Sequence, residues 1–222
     1  MRQRIEPKTS ILPAPQREIW PELAATVKLG FVLYGGTAIA LQLGHRESLD
    51  FDFFRSAPLD KDQLKAEFGF VRDAAVLQDK PDTLVILAAM PSGPVKVSYF
   101  GGIKFGRVND PLLTSDSKLL IASRDDLVAT KLTATLDRAE AKDYRDIAAL
   151  MSAGASLPKG LSAFKQMFGG EPAQVLRALG YFNDGDLNTL TLADRKVLTE
   201  ARDRVGALPE VQLKLGSLAG EP

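Results

Sequence analysis

The sequence has no cysteine, one histidine and one tryptophan in 222 residues. Without thiols there is no disulfide scaffold, no thiolate metal site and no cysteine nucleophile, and the composition fits a reducing compartment. An excess of one charge is also missing. The 28 Lys and Arg balance 28 Asp and Glu, which removes a bulk electrostatic footprint for nucleic acid while leaving room for a local basic groove. No run approaches the roughly 20 apolar residues that a membrane helix needs. Residues 1–15 mix Arg, Lys, Glu and Pro and lack the apolar stretch of a signal peptide. These absences point to a soluble, cytoplasmic chain with no membrane partner. What is present, 45% hydrophobic and 25% charged residues, is ordinary for a globular protein of one domain with appendages or two small domains.

The apolar pattern divides the chain. Residues 1–15 read as an extended arm. Residues 16–28 carry Ile19, Trp20, Leu23, Ala24 and Val27 at helical spacing, with Pro21 marking a kink or a late start. Phe31-Val32-Leu33-Tyr34 reads as a buried strand running into a Gly35-Gly36 turn, after which Thr37 is placed to cap a short helix stopped by Gly44. Leu49-Asp50-Phe51-Asp52-Phe53 alternates with period two, so it predicts a strand with Asp50 and Asp52 on one face. A helix over 60–68 follows, then strands over 70–77, 83–89, 95–100 and 118–122, with turns at 79–82 and 91–94. From Ser123 the period becomes helical, with a long helix carrying Leu127, Val128, Lys131, Leu132 and Leu136 and further helices over 141–153, 158–168, 172–182 and 192–208. The expected organisation is an α/β (α+β) domain over 16–122 and a helical domain over 123–215 packing on it, with a tail over 216–222. A cleft between the two is the expected place for a site.

The stretch with chemical content is Gly35-Gly36-Thr37 followed, thirteen residues after Thr37, by Asp50-x-Asp52. Two glycines after a strand let the backbone approach a phosphate, and the helix that follows offers free N–H groups and the positive end of its dipole to an anion. Thr37 adds a hydroxyl. Two carboxylates on one strand face suit Mg²⁺, a hard cation that takes oxygen ligands, neutralises a triphosphate and helps orient an attacking hydroxyl. Each half of this pattern taken alone has a plain reading: a turn after a strand, and a solvated strand face.

The run from Leu33-Tyr34-Gly35-Gly36-Thr37-Ala38 to His45-Arg46-x-Ser48-x-Asp50-Phe51-Asp52-Phe53-Phe54, followed by Asp126-Leu127-x-Ala129-x-Lys131-Leu132 and Lys142-Asp143-x-x-Asp146-Ile147, resembles the AbiEii/AbiGii-type nucleotidyltransferase toxins of the DNA-polymerase-β-like superfamily. These blocks span about residues 30–152, and nothing in 155–222 carries the likeness. The resemblance implies a short mixed sheet flanked by helices, then a helical domain. It implies transfer of a nucleoside monophosphate from a nucleoside triphosphate to an RNA (possibly tRNA) or protein acceptor, with Mg²⁺ (or Mn²⁺) and release of pyrophosphate. Some such toxins act on the acceptor ends of tRNA, and many are neutralised by a cognate antitoxin. By position, Gly35, Gly36 and Thr37 would hold phosphates, Asp50 and Asp52 metal, Lys131 the triphosphate, and Asp143 or Asp146 would fill the last acidic motif. One departure stands out. The superfamily usually has a third carboxylate on a neighbouring strand, and the candidate strand 95–100 offers Lys96 and Ser98 but no acid. Either Asp143 or Asp146 substitutes, or a water does, or transfer is lost; a missing base slows such a step by ~10²–10⁴-fold.

Other residues read less specifically. Arg46 is a candidate phosphate or carboxylate clamp, because a guanidinium binds oxyanions bidentately, and it equally suits pairing with Asp50 or Asp52. His45 reads as a loop residue. Lys142, Asp143, Arg145 and Asp146 read as a solvated helix face, unless the two acids share a cation from Arg138, Lys131 or a metal. Trp20 and Tyr34 read as packing aromatics. The cations of the second half, from Lys159 to Arg204, are interleaved with acids and form no nucleic-acid stripe. Two other functions fit the same residues: a catalytically impaired module that binds nucleotide or a partner protein, and a nucleotidyltransferase acting on a small molecule such as an aminoglycoside.

Overall fold

The computed structural model describes residues 2–220. The chain forms two compact units. The first takes the residues up to 106, then 110–122 and those from 215 on; the second takes 107–109 and 123–214.

The first unit is built on an eight-stranded sheet. Its strands are β1 (Arg4–Ile5), β2 (Val32–Tyr34), β3 (Asp50–Phe54), β4 (Ala75–Lys80), β5 (Thr83–Met90), β6 (Gly93–Phe100), β7 (Leu112–Thr114) and β8 (Leu120–Ile121). Its helices are α1 (Ala14–Ile19), α2 (Ala25–Lys28), α3 (Gly35–Leu43), α4 (Lys61–Glu67) and α5 (Gly69–Arg72). The spatial order is β1-β7-β8-β2-β3-β6-β5-β4. The pairing is mixed: β3 runs antiparallel to β2 and parallel to β6. Burial explains why β3 sits at the centre. Phe51 and Phe53 on one face are fully buried, stacked on each other and, through Phe53, on Tyr99 of β6. Burying each such ring is worth about 1.5–3 kcal/mol, enough to fix the register that turns Asp50 and Asp52 to the other face.

Several expected elements move. The segment 16–28 is divided: Pro21 lies in a 3-10 stretch, Trp20–Ala24, between α1 and α2. The strand expected over 70–77 is displaced to β4, and Gly69–Arg72 is a helical turn. Phe68 and Val71, three apart and both buried, hold one helical face there. The N-terminal segment is not simply an arm, since β1 pairs in parallel with β7. Residues 216–220 belong with the sheet: the Leu218 N–H donates to Ser56 Oγ (2.9 Å), and Ser56 Oγ donates to the Gly216 carbonyl (2.6 Å). Residues 221–222 of the expected tail, and residue 1 of the arm, lie outside the described residues.

The second unit consists of α6 (Arg124–Asp137), α7 (Ala141–Ser152), α8 (Leu157–Phe168), α9 (Pro172–Ala178) and α10 (Leu192–Asp203). Helix α6 is its hub, packing on α7, α8 and α9. Ser123 caps α6 by accepting the Asp126 N–H, and Ser156 and Thr191 cap α8 and α10 in the same way. Gly160 lets α8 cross close over Val128 of α6, where a methyl group on it would clash. The strap Arg107–Asn109 is tied on by Asp126 and Asp125, which accept from the Val108 N–H and the Asn109 side chain, 2.6 Å each. Asp126 is nearly fully buried. Burial pushes its carboxyl up, and the hydrogen bonds from Ser123, Val108 and Asn109 only partly offset this. Among the described residues no helix is long and apolar enough to cross a membrane.

Candidate functional site

The glycine bend and the two carboxylates meet in the first unit. Helix α3 begins directly at Gly35, whose φ of 73° is in the left-handed region that favours glycine. No side chain caps α3, so the N–H groups of its first turn form an anion-seeking end. Tyr34 pairs with Asp52 across β2 and β3, which brings the Asp52 carboxylate onto the start of α3. A methyl group on Gly35 would lie 2.5 Å from Asp52 Oδ2. Gly36 is constrained similarly: a methyl group there would lie 2.7 Å from Arg46 Nη2 and 2.8 Å from Ser48 Oγ. The loop after α3 thus folds a guanidinium back over the bend, with Arg46 Nη1 also donating to the Glu47 carbonyl at 2.7 Å.

Thr37 has a different place from the one expected. It does not cap the helix but lies inside its first turn, fully buried, and its hydroxyl donates to the backbone carbonyl of Asp50. That bond ties α3 to β3, so Thr37 helps to position the carboxylate strand.

The neighbouring strand supplies a cation where an acid was sought. In the parallel β3–β6 register Lys96 lies opposite Asp50 and Ser98 opposite Asp52. Lys96 Nζ is 3.3 Å from Asp50 Oδ2, and both side chains are about 40% exposed (42% and 40%). This pair was not foreseen from sequence. The signal lay in the two strand patterns, but parallel pairing of β3 with β6 is a long-range fact that periodicity does not carry.

In the second unit Lys131, Asp143 and Asp146 come together: the two acids are buried and share a cation, while Lys142 of the same helix stays exposed. Asp143 and Asp146 are both 0% exposed and Lys131 is 7% exposed. Lys131 Nζ is 2.7 Å from Asp143 Oδ1 and 2.7 Å from Asp146 Oδ2, and Arg138 Nε donates to Asp143 Oδ2 at 2.9 Å. Burial would raise the Asp143 carboxyl, but hydrogen bonds and charge from Arg138 and Lys131 outweigh it and hold it below the ordinary range. Asp143 therefore has both oxygens engaged by cations. The helical period explains the cluster: Lys131 lies among the buried Leu127, Val128 and Leu132 of α6, and Asp143 and Asp146, three apart, share the buried face of α7.

A family profile, Nucleotidyl transferase AbiEii toxin, Type IV TA system, matches residues 23–209. The chain belongs to this family. The match runs past the motif blocks into residues 155–209, where the sequence motifs carried no likeness. An uncharacterized protein of Aquifex aeolicus is 31% identical over 135 residues, which is 58% of this chain and 63% of that protein, so the match spans less than two thirds of the relative. Two solved structures share the fold. A protein of H. pylori provisionally assigned as a nucleotidyltransferase is 19% identical, with a TM-score of 0.56 over 85% of this chain and 90% of its own. MenT4, a nucleotidyltransferase toxin of Mycobacterium tuberculosis, is 16% identical, with a TM-score of 0.57 over 86% and 84%.

The donor set of this AbiEii-family chain can be tested against a divalent ion. Among the described residues no three or more His, Cys, Asp or Glu are grouped to hold a metal. Asp50 and Asp52 alone fit Mg²⁺, which binds through one or two carboxylates and fills its octahedron with water and substrate phosphates.

Proposed function

We propose that this nucleotidyltransferase-family chain transfers a nucleoside monophosphate from a nucleoside triphosphate to a hydroxyl on an RNA acceptor, tRNA among the candidates. Asp50 and Asp52 hold a divalent ion, and the first turn of α3 at Gly35 and Gly36 receives phosphate oxygens. One observation carries the reading: the Asp52 carboxylate lies against Gly35 at the uncapped start of α3, with Asp50 on the same face of β3. Carboxylates and an anion-seeking helix end belong together where a metal-bound triphosphate is to be held. In the transfer the acceptor oxygen forms a bond to the α-phosphorus, the bond to the bridging oxygen of the β-phosphate breaks, pyrophosphate leaves and the acceptor proton passes to solvent. The bound Mg²⁺ would supply charge neutralisation and polarisation of the phosphate. Bare glycine backbone and the Arg46 guanidinium orient the phosphates; Thr37 holds β3 on α3 so that the carboxylates keep their place.

Lys131 is proposed as a phosphate contact, with Asp143 and Asp146 setting its position. No acid stands on β6 opposite Asp50 or Asp52, and this favours a second reading, a nucleotide-binding module with weak or no transfer. Both are decided by incubating the protein with labelled triphosphates and cellular RNA, beside the double variant D50A/D52A. Label on RNA from the wild type alone supports transfer. Equal labelling by both proteins refutes it, and metal-dependent nucleotide binding without labelling selects the binding module.

A further inference from the structure

One of the two Asp50 oxygens open to a divalent ion is already paired. Lys96 Nζ stands 3.3 Å from Asp50 Oδ2, and the pairing is set by the sheet, because Lys96 lies directly opposite Asp50 in the β3–β6 register. In the sheet Lys96 lies between Asp50 of β3 and Leu87 of β5, and its side chain is 42% exposed. We propose that Lys96 is a built-in counter-ion of Asp50, which a divalent ion arriving alone must displace and which the arrival of a triphosphate draws away. This rests on the reading of Asp50 and Asp52 as metal ligands.

The physical argument is a competition. A tethered ammonium compensates the Asp50 carboxylate in the free protein, so a bare ion meets a ligand already paired and, if both cations stay, their mutual repulsion at close range. A metal–triphosphate complex is a net anion. It supplies new acceptor oxygens for the freed ammonium and the nearby Arg46 guanidinium, so the same lysine that weakens binding of the ion alone favours its entry with the nucleotide. A cation at this position of β6, where an acid was sought, therefore makes the order of loading a property of the site.

The test uses Mn²⁺ alone, titrated into the 222-residue chain without nucleotide, with binding read from water-proton relaxation. The proteins are wild type, K96M, K96R and D50N/D52N. K96M is expected to bind Mn²⁺ about 3–10-fold more tightly than wild type, the effect of removing one half-exposed charge beside the ligand. K96R, which keeps the charge, is expected to stay within about twofold of wild type. K96M binding no more tightly than wild type, or K96R binding as tightly as K96M, overturns the proposal. Wild type and K96M each binding no better than D50N/D52N overturns the metal reading of the two aspartates, and the counter-ion role with it.

Discussion

Replacing Lys131 by methionine keeps most of the side-chain volume and removes the charge shared by two carboxylates that are both 0% exposed. Breaking a buried ion pair by deleting one partner costs about 3–5 kcal/mol, because the remaining charge is left uncompensated in a poor dielectric. Arg138 still donates to Asp143 at 2.9 Å, which places K131M at the lower end, about 3 kcal/mol. For a chain of this size each kcal/mol lowers the melting temperature by roughly 2–4 °C, so the expected fall at pH 7 is about 6–12 °C. Acidification adds a sign. The Asp143 carboxyl is held below its ordinary range, so the stability it contributes is complete above the unfolded value near ~4 and is lost as pH falls through the lowered folded value. In K131M one of the groups opposing burial is gone, and the loss begins at a higher pH. Circular dichroism melts from pH 7 to pH 3 measure both effects, and the double variant K131M/D146N, which also removes a buried charge, is expected to recover about half of the fall. A K131M melt within 2 °C of wild type at pH 7, on the order of 1 kcal/mol or less, would refute the reasoning that Lys131 neutralises the pair.

Three further outcomes follow from local geometry. G35A puts a side chain at a positive φ and against Asp52 Oδ2; it is expected to cost about 1–3 kcal/mol in urea unfolding and to abolish RNA labelling, and a fully active G35A would contradict the proposed phosphate approach. T37V loses the bond to the Asp50 carbonyl and is expected to melt roughly 2–4 °C lower, for about 1 kcal/mol, whereas T37S melts as wild type; equal melts for T37V and T37S would remove the tie between α3 and β3. Burial raises the Asp126 carboxyl, so its charge costs stability as pH climbs from about 4 through the raised value. D126N, which keeps an acceptor for Val108, is expected to flatten that part of the curve, and urea midpoints that decline in parallel for both proteins between pH 4 and 7 would tell against it.

The short-range features of the site were legible before the fold was known. Period-two alternation in Asp50-Phe51-Asp52-Phe53 sufficed to put the carboxylates on one face, because the two phenylalanines leave β3 a single way to bury. The glycine bend was legible for the same kind of reason. Thr37 was misplaced by local logic: a threonine before an apolar run looks like a cap, but the helix starts two residues earlier at Gly35, where the left-handed conformation ends β2. Strands β1 and β7, of two and three residues, are too short to show a period and exist through their pairing. The Lys131 cluster was half visible. Spacing put Asp143 and Asp146 on one face and named Lys131 and Arg138 as cations they could share, but whether that face met solvent or α6 depended on helix packing, which spacing does not carry.

The four passages of the chain between the units, at 106/107, 109/110, 122/123 and 214/215, mean that neither unit corresponds to one uninterrupted stretch of gene. A fragment ending at residue 122 would leave out Leu218, 1% exposed and bonded to Ser56 just beyond the carboxylate strand. On the ribosome the sheet-bearing half is likewise completed only after the whole helical half has been made and residue 218 has emerged. A growing polypeptide therefore acquires the residues that brace Ser56, next to the carboxylate strand, only after those of the helical half.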